Sequence, residues 1–144
     1  MKKYIMWGLI FLIIGIFIVV GTFFIFQNQN SKNIRFLKGY GWVVEKEPVE
    51  ECEITIPAVF DEMYENYNVL QKEAGLDLSP YAGMEAKRYT YILKNFPYEI
   101  NEQVRANVIT VKGIPVAGDI MTVSFNGFMY SLNFNESLCF ALKN

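Results

Sequence analysis

The sequence predicts an α+β fold: an N-terminal transmembrane helix, then a small domain with one main helix packed on an antiparallel β-sheet meander. Three observations carry this. Residues 4–26, "YIMWGLIFLIIGIFIVVGTFFIF", hold no charge. Residues 57–75 carry an apolar stripe at helical spacing. From residue 86 onward, four segments rich in β-branched and aromatic residues follow one another with short links.

Sixteen of the 23 residues in the first run are Ile, Leu, Val or Phe. As a helix the run is about 34 Å long, against a hydrocarbon core of about 30 Å. It lacks the polar face of an amphipathic core helix. A cleavable signal would stop sooner, at small residues. Here the run continues past Gly21 and Thr22 through Phe23, Phe24, Ile25 and Phe26, which predicts a retained anchor. Orientation rests on opposing counts. Lys32, Arg35 and Lys38 follow the run, whereas Lys2 and Lys3 abut it and the uncharged "QNQN" sets the later charges back. Long C-terminal domains translocate largely regardless of charge. The expectation is a single-pass protein of the cell membrane, N-terminus cytoplasmic and domain outside. Gly8, Gly15 and Gly21 form no G-x-x-x-G, so nothing argues for helix dimerisation. The chain then divides into a tail (1–3), an anchor (4–26), a linker (27–33) and a single α+β domain (34–144).

Within the domain, Ser31 is the expected N-cap of a short helix reaching Tyr40, with Gly41 as its stop. "WVVE" reads as a short strand. After Pro48, residues 49–56 alternate, with Cys52, Ile54 and Ile56 on one face and Glu51, Glu53 and Thr55 on the other. Pro57 suits a first helical position. Val59, Met63, Tyr67, Leu70 and Ala74 then form one helical face, and Gly75 ends it. The meander strands are expected at 86–95, 104–112, 116–125 and 128–134, the last pair joined by Asn126-Gly127, a strong hairpin signal.

Composition narrows the chemistry. Beyond residue 26, fifteen acids face eleven bases, which disfavours nucleic acid as a partner. Five acids crowd into "EKEPVEECE" (45–53), without the Asp, Asn and Gly spacing of a cation loop. Histidine is absent, so Ser-His-Asp and Cys-His arrangements are excluded, and no phosphate-cradling glycine loop is present. No catalytic, cofactor-binding or metal residue is expected, and no cofactor. Asp61, Glu62 and Glu65 suit the positive end of the main helix. Cys52 and Cys139 leave two readings open: a disulfide outside the cytoplasm, or a small buried hydrophobe at Cys52. Two features suggest recognition. Tyr64, Asn68 and Gln71 form a polar-aromatic stripe beside the apolar helix face, and Phe96 and Tyr98 flank Pro97 at a turn. Each has a plainer reading, a solvated helix surface for the first and a Phe96 folded under the sheet for the second.

"FLKGYGW", "TIPAVFDEMYENYNVLQKEAGLDLSPYAG" and "KRYTY" resemble a family of small Gram-positive, chiefly clostridial, single-pass proteins described only as a domain of unknown function. The resemblance implies no activity or catalytic residue. A helix followed by a meander also resembles, more loosely, PepSY-type domains. The expected function is a membrane-anchored extracytoplasmic binding or regulatory module. Its partners would be lipid through residues 4–26 and a membrane or cell-surface protein. The alternatives are an accessory subunit of a membrane complex and, more remotely, a carboxylate-based hydrolase.

Overall fold

The computed structural model describes residues 2–124 and 126–134. Helix α1 (Lys2–Gly39) leads into β1 (Glu50–Thr55), α2 (Glu62–Glu73), a 3₁₀ turn (Ser79–Tyr81) and β2 (Glu85–Ile92). β3 (Arg105–Val111), β4 (Ile114–Met121) and β5 (Met129–Ser131) follow. The sheet is antiparallel throughout, in chain order β1-β2-β3-β4-β5. The fold is α+β.

The expected transmembrane helix is corrected: among the described residues, no helix is long and apolar enough to cross a membrane. The apolar run is instead the first part of α1, which continues unbroken into the domain. Residues 27–33, expected as a linker, are helical, and Ser31 starts no new helix. No Gly or Pro interrupts "QNQNSKN", and its buried Asn30 and Asn33 find partners across the domain. Tyr91 donates its hydroxyl proton to Asn30 Oδ1 (2.9 Å) and accepts from Asn33 Nδ2 (3.1 Å). Asn30 Nδ2 also donates to the Lys46 carbonyl. Burial of Tyr91 pushes its pKa up to about 12, so this anchor stays neutral at physiological pH.

Strand alternation gives each face of the sheet its own core. One gathers Tyr89, Tyr91, Ala106, Val108, Ile120 and Leu132 under Leu37 of α1. Trp42 belongs to this side and donates its indole N–H to the Leu132 carbonyl at 2.8 Å. The other gathers Ile56, Leu78, Ala86, Ile109 and Ala117, with Phe60 and Tyr67 packed against them. The sequence assigned one helix to the sheet; the last turns of α1 supply a second. Val44 makes only an isolated bridge to Leu93 where a short strand was expected.

α2 begins later than Pro57. Asp61 caps it, accepting from the Tyr64 N–H at 2.9 Å, and residues 57–60 are a loop. Its rotation also differs. Val59 and Met63, expected inside, are 85% and 69% exposed, whereas Asn68 and Gln71 are buried. β3 and β4 join through Lys112-Gly113, both at positive φ (50° and 74°), the two-residue turn that matches strand twist.

Candidate functional site: a groove under α1 and a buried polar row

Two places on the sheet carry polar chemistry. The first is an open groove of about 880 Å³ between α1 and the lower part of the sheet. Thr22 and Gln29 of α1 form one wall; Glu51, Glu53, Lys87 and Tyr89 form the other. The sequence positions these groups by alternation: the odd-numbered residues of β1 face α1, and the even-numbered Cys52 and Ile54 face the α2 side. Lys87 Nζ lies 3.3 Å from Glu51 and 3.6 Å from Glu53, and this acidic company raises the lysine pKa. The pairs are solvent-exposed, so each contributes only about 0–1 kcal/mol. β1 is an edge strand: among the described residues none pairs with its outer side, which borders the groove.

The second place is a row of polar side chains crossing the α2 face. Register aligns Glu50, Thr90, Asn107, Asp119 and Ser131, one from each strand. The last four are buried. Thr90 Oγ1 donates to Asn107 Oδ1 (2.7 Å), and Asn107 Nδ2 donates to Asp119 Oδ1 (2.8 Å). The Tyr67 hydroxyl, reaching in from α2, donates to Asp119 Oδ2 at 2.8 Å. Burial pushes the Asp119 carboxyl up, while those two donors and the Arg88 charge pull it back. Burial, with Asp119 beside it, drives Tyr67 well above its ordinary value. Arg88 Nη2 reaches Glu50 Oε1 at 2.8 Å, while its Nε has no partner. The arrangement fixes α2 over the sheet through a satisfied carboxylate. Among the described residues, no group of three or more Cys, Asp or Glu has the geometry to hold a metal.

The structure separates the residues that the sequence proposed for recognition. Tyr64 is half-exposed and packs against Phe60 and Tyr67, with centroids at 5.6 and 6.3 Å. Asn68 and Gln71, its expected neighbours on an open surface, point inward instead. Asn68 Oδ1 accepts from the Leu78 N–H (2.8 Å), and its Nδ2 donates to Asp77 (2.9 Å) and Ser79 (3.0 Å). Gln71 Oε1 accepts from the Gly118 N–H at 2.9 Å, at a β4 position that β5 is too short to pair. Both side chains satisfy backbone that the sheet and loop leave unpaired. Phe96 is half-buried, stacked on Phe128 at 5.3 Å and close to Phe134 at 5.8 Å. Tyr98 lies at the surface beside it, 5.9 Å between rings. Cys52 is half-buried with a free thiol; Cys139 lies outside the described residues. Sequence reasoning missed Tyr67, Asn107 and Asp119 as a unit. The available signal was Asn and Asp inside strongly apolar strands, where both are disfavoured.

Residues 36–120, more than half of the chain, match a protein family described as a domain of unknown function (DUF4830). The chain belongs to this family. The DUF4830 domain starts in the last turns of α1 and ends in β4. It contains Thr90, Asn107 and Asp119 and leaves out the apolar run. No curated protein and no solved structure matches the chain.

Proposed function

We propose that this DUF4830 protein is a binding or regulatory module held at the cell membrane by lipid contact along residues 4–26. One observation carries the reading. Every described side chain from Met6 to Thr22 is exposed, on all sides of the helix, and most are large and apolar. A helix apolar all round is stable only when something apolar covers it. Each such side chain removed from water contributes about 1.5–3 kcal/mol, and the domain itself covers none of these. The groove is the binding element in this reading, because it opens between that helix and an unpaired strand edge. Outward placement of the domain and a Gram-positive, chiefly clostridial setting belong to the same proposal, as does the looser PepSY-type likeness.

Flotation on lipid vesicles tests it. The full chain should rise with the vesicles, and a chain lacking residues 1–26 should stay in the dense fraction. Recovery of both chains in the dense fraction would refute lipid contact. Protease added to intact cells tests placement: digestion of the domain supports the outer side, and full protection opposes it.

A further inference from the structure

Antiparallel pairing brings the ends of β1 and β3 and the starts of β2 and β4 to one end of the sheet. α1 passes this end at Gln29, where a Cβ on Gly113 would stand 3.0 Å from Gln29 Oε1. The long apolar part of α1 therefore leaves the domain beside the Lys112-Gly113 turn. Other apolar side chains gather round the exit. Ile114, next to the turn, is 64% exposed, and Val59, in the loop after β1, is 85% exposed. Met84 is 38% exposed just before β2. A Cβ on Gly83 would lie 3.6 Å from that of Ala58, so the loops bearing Val59 and Met84 sit side by side.

We propose that this end of the domain rests on the lipid surface, with Ile114, Val59 and Met84 dipping into the boundary between headgroups and acyl chains. The inference rests on the reading of residues 4–26 as lipid-bound and adds the orientation of the folded part. Continuity argues for lipid as the occupant: the exposed, largely apolar stretch Met6–Thr22 reaches this end of the sheet, where Thr22 lines the groove together with Met84, Lys112 and Gly113. Lys112, exposed at the turn, suits the boundary, where a lysine keeps its aliphatic stem along apolar surface and its ammonium at headgroup level. Glu53 and Glu85 lie in the strands at this same end, and Asp61 and Glu62 follow where the loop after β1 enters α2. Their charge opposes attraction to anionic lipid, so the contact is apolar in character and should form on zwitterionic phosphatidylcholine.

The test uses the full chain with Cys52→Ser and Cys139→Ser, and a single new cysteine from Ile114→Cys or Val123→Cys carrying an NBD fluorophore. Val123, 60% exposed, lies just past the opposite end of β4 and serves as the control. In phosphatidylcholine vesicles at low protein density, the label at 114 should shift its emission to shorter wavelength. The label at 123 should emit as in water. If the chain floats with vesicles and both labels report water, the surface contact is refuted while the helix–lipid contact stands. If both labels shift, contact at this particular end is refuted. If the chain does not float, the lipid reading fails and the orientation fails with it.

Discussion

Tyr67→Phe removes one hydroxyl and leaves the ring that packs in the α2-side core. The lost bond, 2.8 Å to Asp119 Oδ2, has a carboxylate acceptor. When that acceptor is ionised, a buried bond of this kind contributes about 1.5–3 kcal/mol; between neutral groups it contributes about 0.5–1.5 kcal/mol. Asp119 is shifted upward by burial, so the folded chain keeps its proton to a higher pH than the unfolded chain. Between the unfolded and folded pKa values the native state binds more protons, and stability falls as pH rises through that window. Tyr67 pulls this pKa down, and without it the folded value climbs further, at about 1.4 kcal/mol per pKa unit. The destabilisation by Tyr67→Phe should therefore grow as pH rises and Asp119 ionises, from about 0.5–1.5 kcal/mol with the carboxyl protonated to about 1.5–3 kcal/mol with it ionised. Urea unfolding of both chains, followed by circular dichroism at several pH values, measures it. A loss that stays constant across the whole pH range in which the chain folds, or one below about 0.5 kcal/mol throughout, would refute a proton-coupled bond at Asp119.

Asn68→Ala strips the partner of the buried Leu78 N–H and should cost about 1–3 kcal/mol in urea unfolding. The same substitution should raise Asp77, now held at about 2 chiefly by its bond from Asn68, toward 3.8, as read by carboxyl-carbon NMR titration. Because that folded value is depressed, the stability it brings is present above 3.8 and lost as pH falls toward 2, and Asn68→Ala should flatten this acid limb. Gly118→Ala places a Cβ 2.6 Å from the Asn107 carbonyl and 2.8 Å from Leu132 Cδ1, so β4 must shift. A loss of about 1–3 kcal/mol in thermal unfolding is expected, and a neutral result would show that the strand yields freely. Four alanines inserted between Gln27 and Asn28 lengthen α1 by about 6 Å. The insertion should return an NBD label at position 114 to water-like emission without changing flotation.

β1 was readable because alternation there reports burial directly. Glu51, Glu53 and Thr55 are exposed, Cys52 and Ile54 half-buried and Ile56 buried, as their spacing requires. α2 was legible in extent and illegible in rotation. An apolar stripe through Val59, Met63 and Tyr67 fits the 3.6-residue period, yet the helix starts only after Asp61 and turns Asn68 and Gln71 inward. What turns them is the demand of distant backbone: the Leu78 N–H lies ten residues ahead, and the Gly118 N–H lies on another strand. Periodicity records where greasy side chains recur and carries no term for an unpaired amide elsewhere. The polar row is hidden for the same reason. Asn107 and Asp119 are twelve residues apart, and only the β3–β4 register makes them neighbours.

The same limit applies to residues 27–33. Read locally, "QNQNSKN" is a polar spacer between an apolar run and a capped helix, and its Asn and Ser residues are weak helix formers. In the folded chain the hydroxyl of Tyr91, about sixty residues away, accepts from Asn33 and donates to Asn30, three residues apart on one face of α1. Gln29 Nε2 donates to Asn33 Oδ1 at 2.8 Å, closing the polar face along the next turn. These bonds hold helix where propensity alone would let it fray, and a stiff connection replaces the expected tether. A flexible linker would let the domain tumble independently of the apolar segment. A continuous helix fixed to the sheet through Tyr91 gives the groove and the Ile114 end a set distance and direction from residues 4–26. Whatever covers that segment therefore meets the domain in one orientation, with the β1 edge and the groove placed beside it.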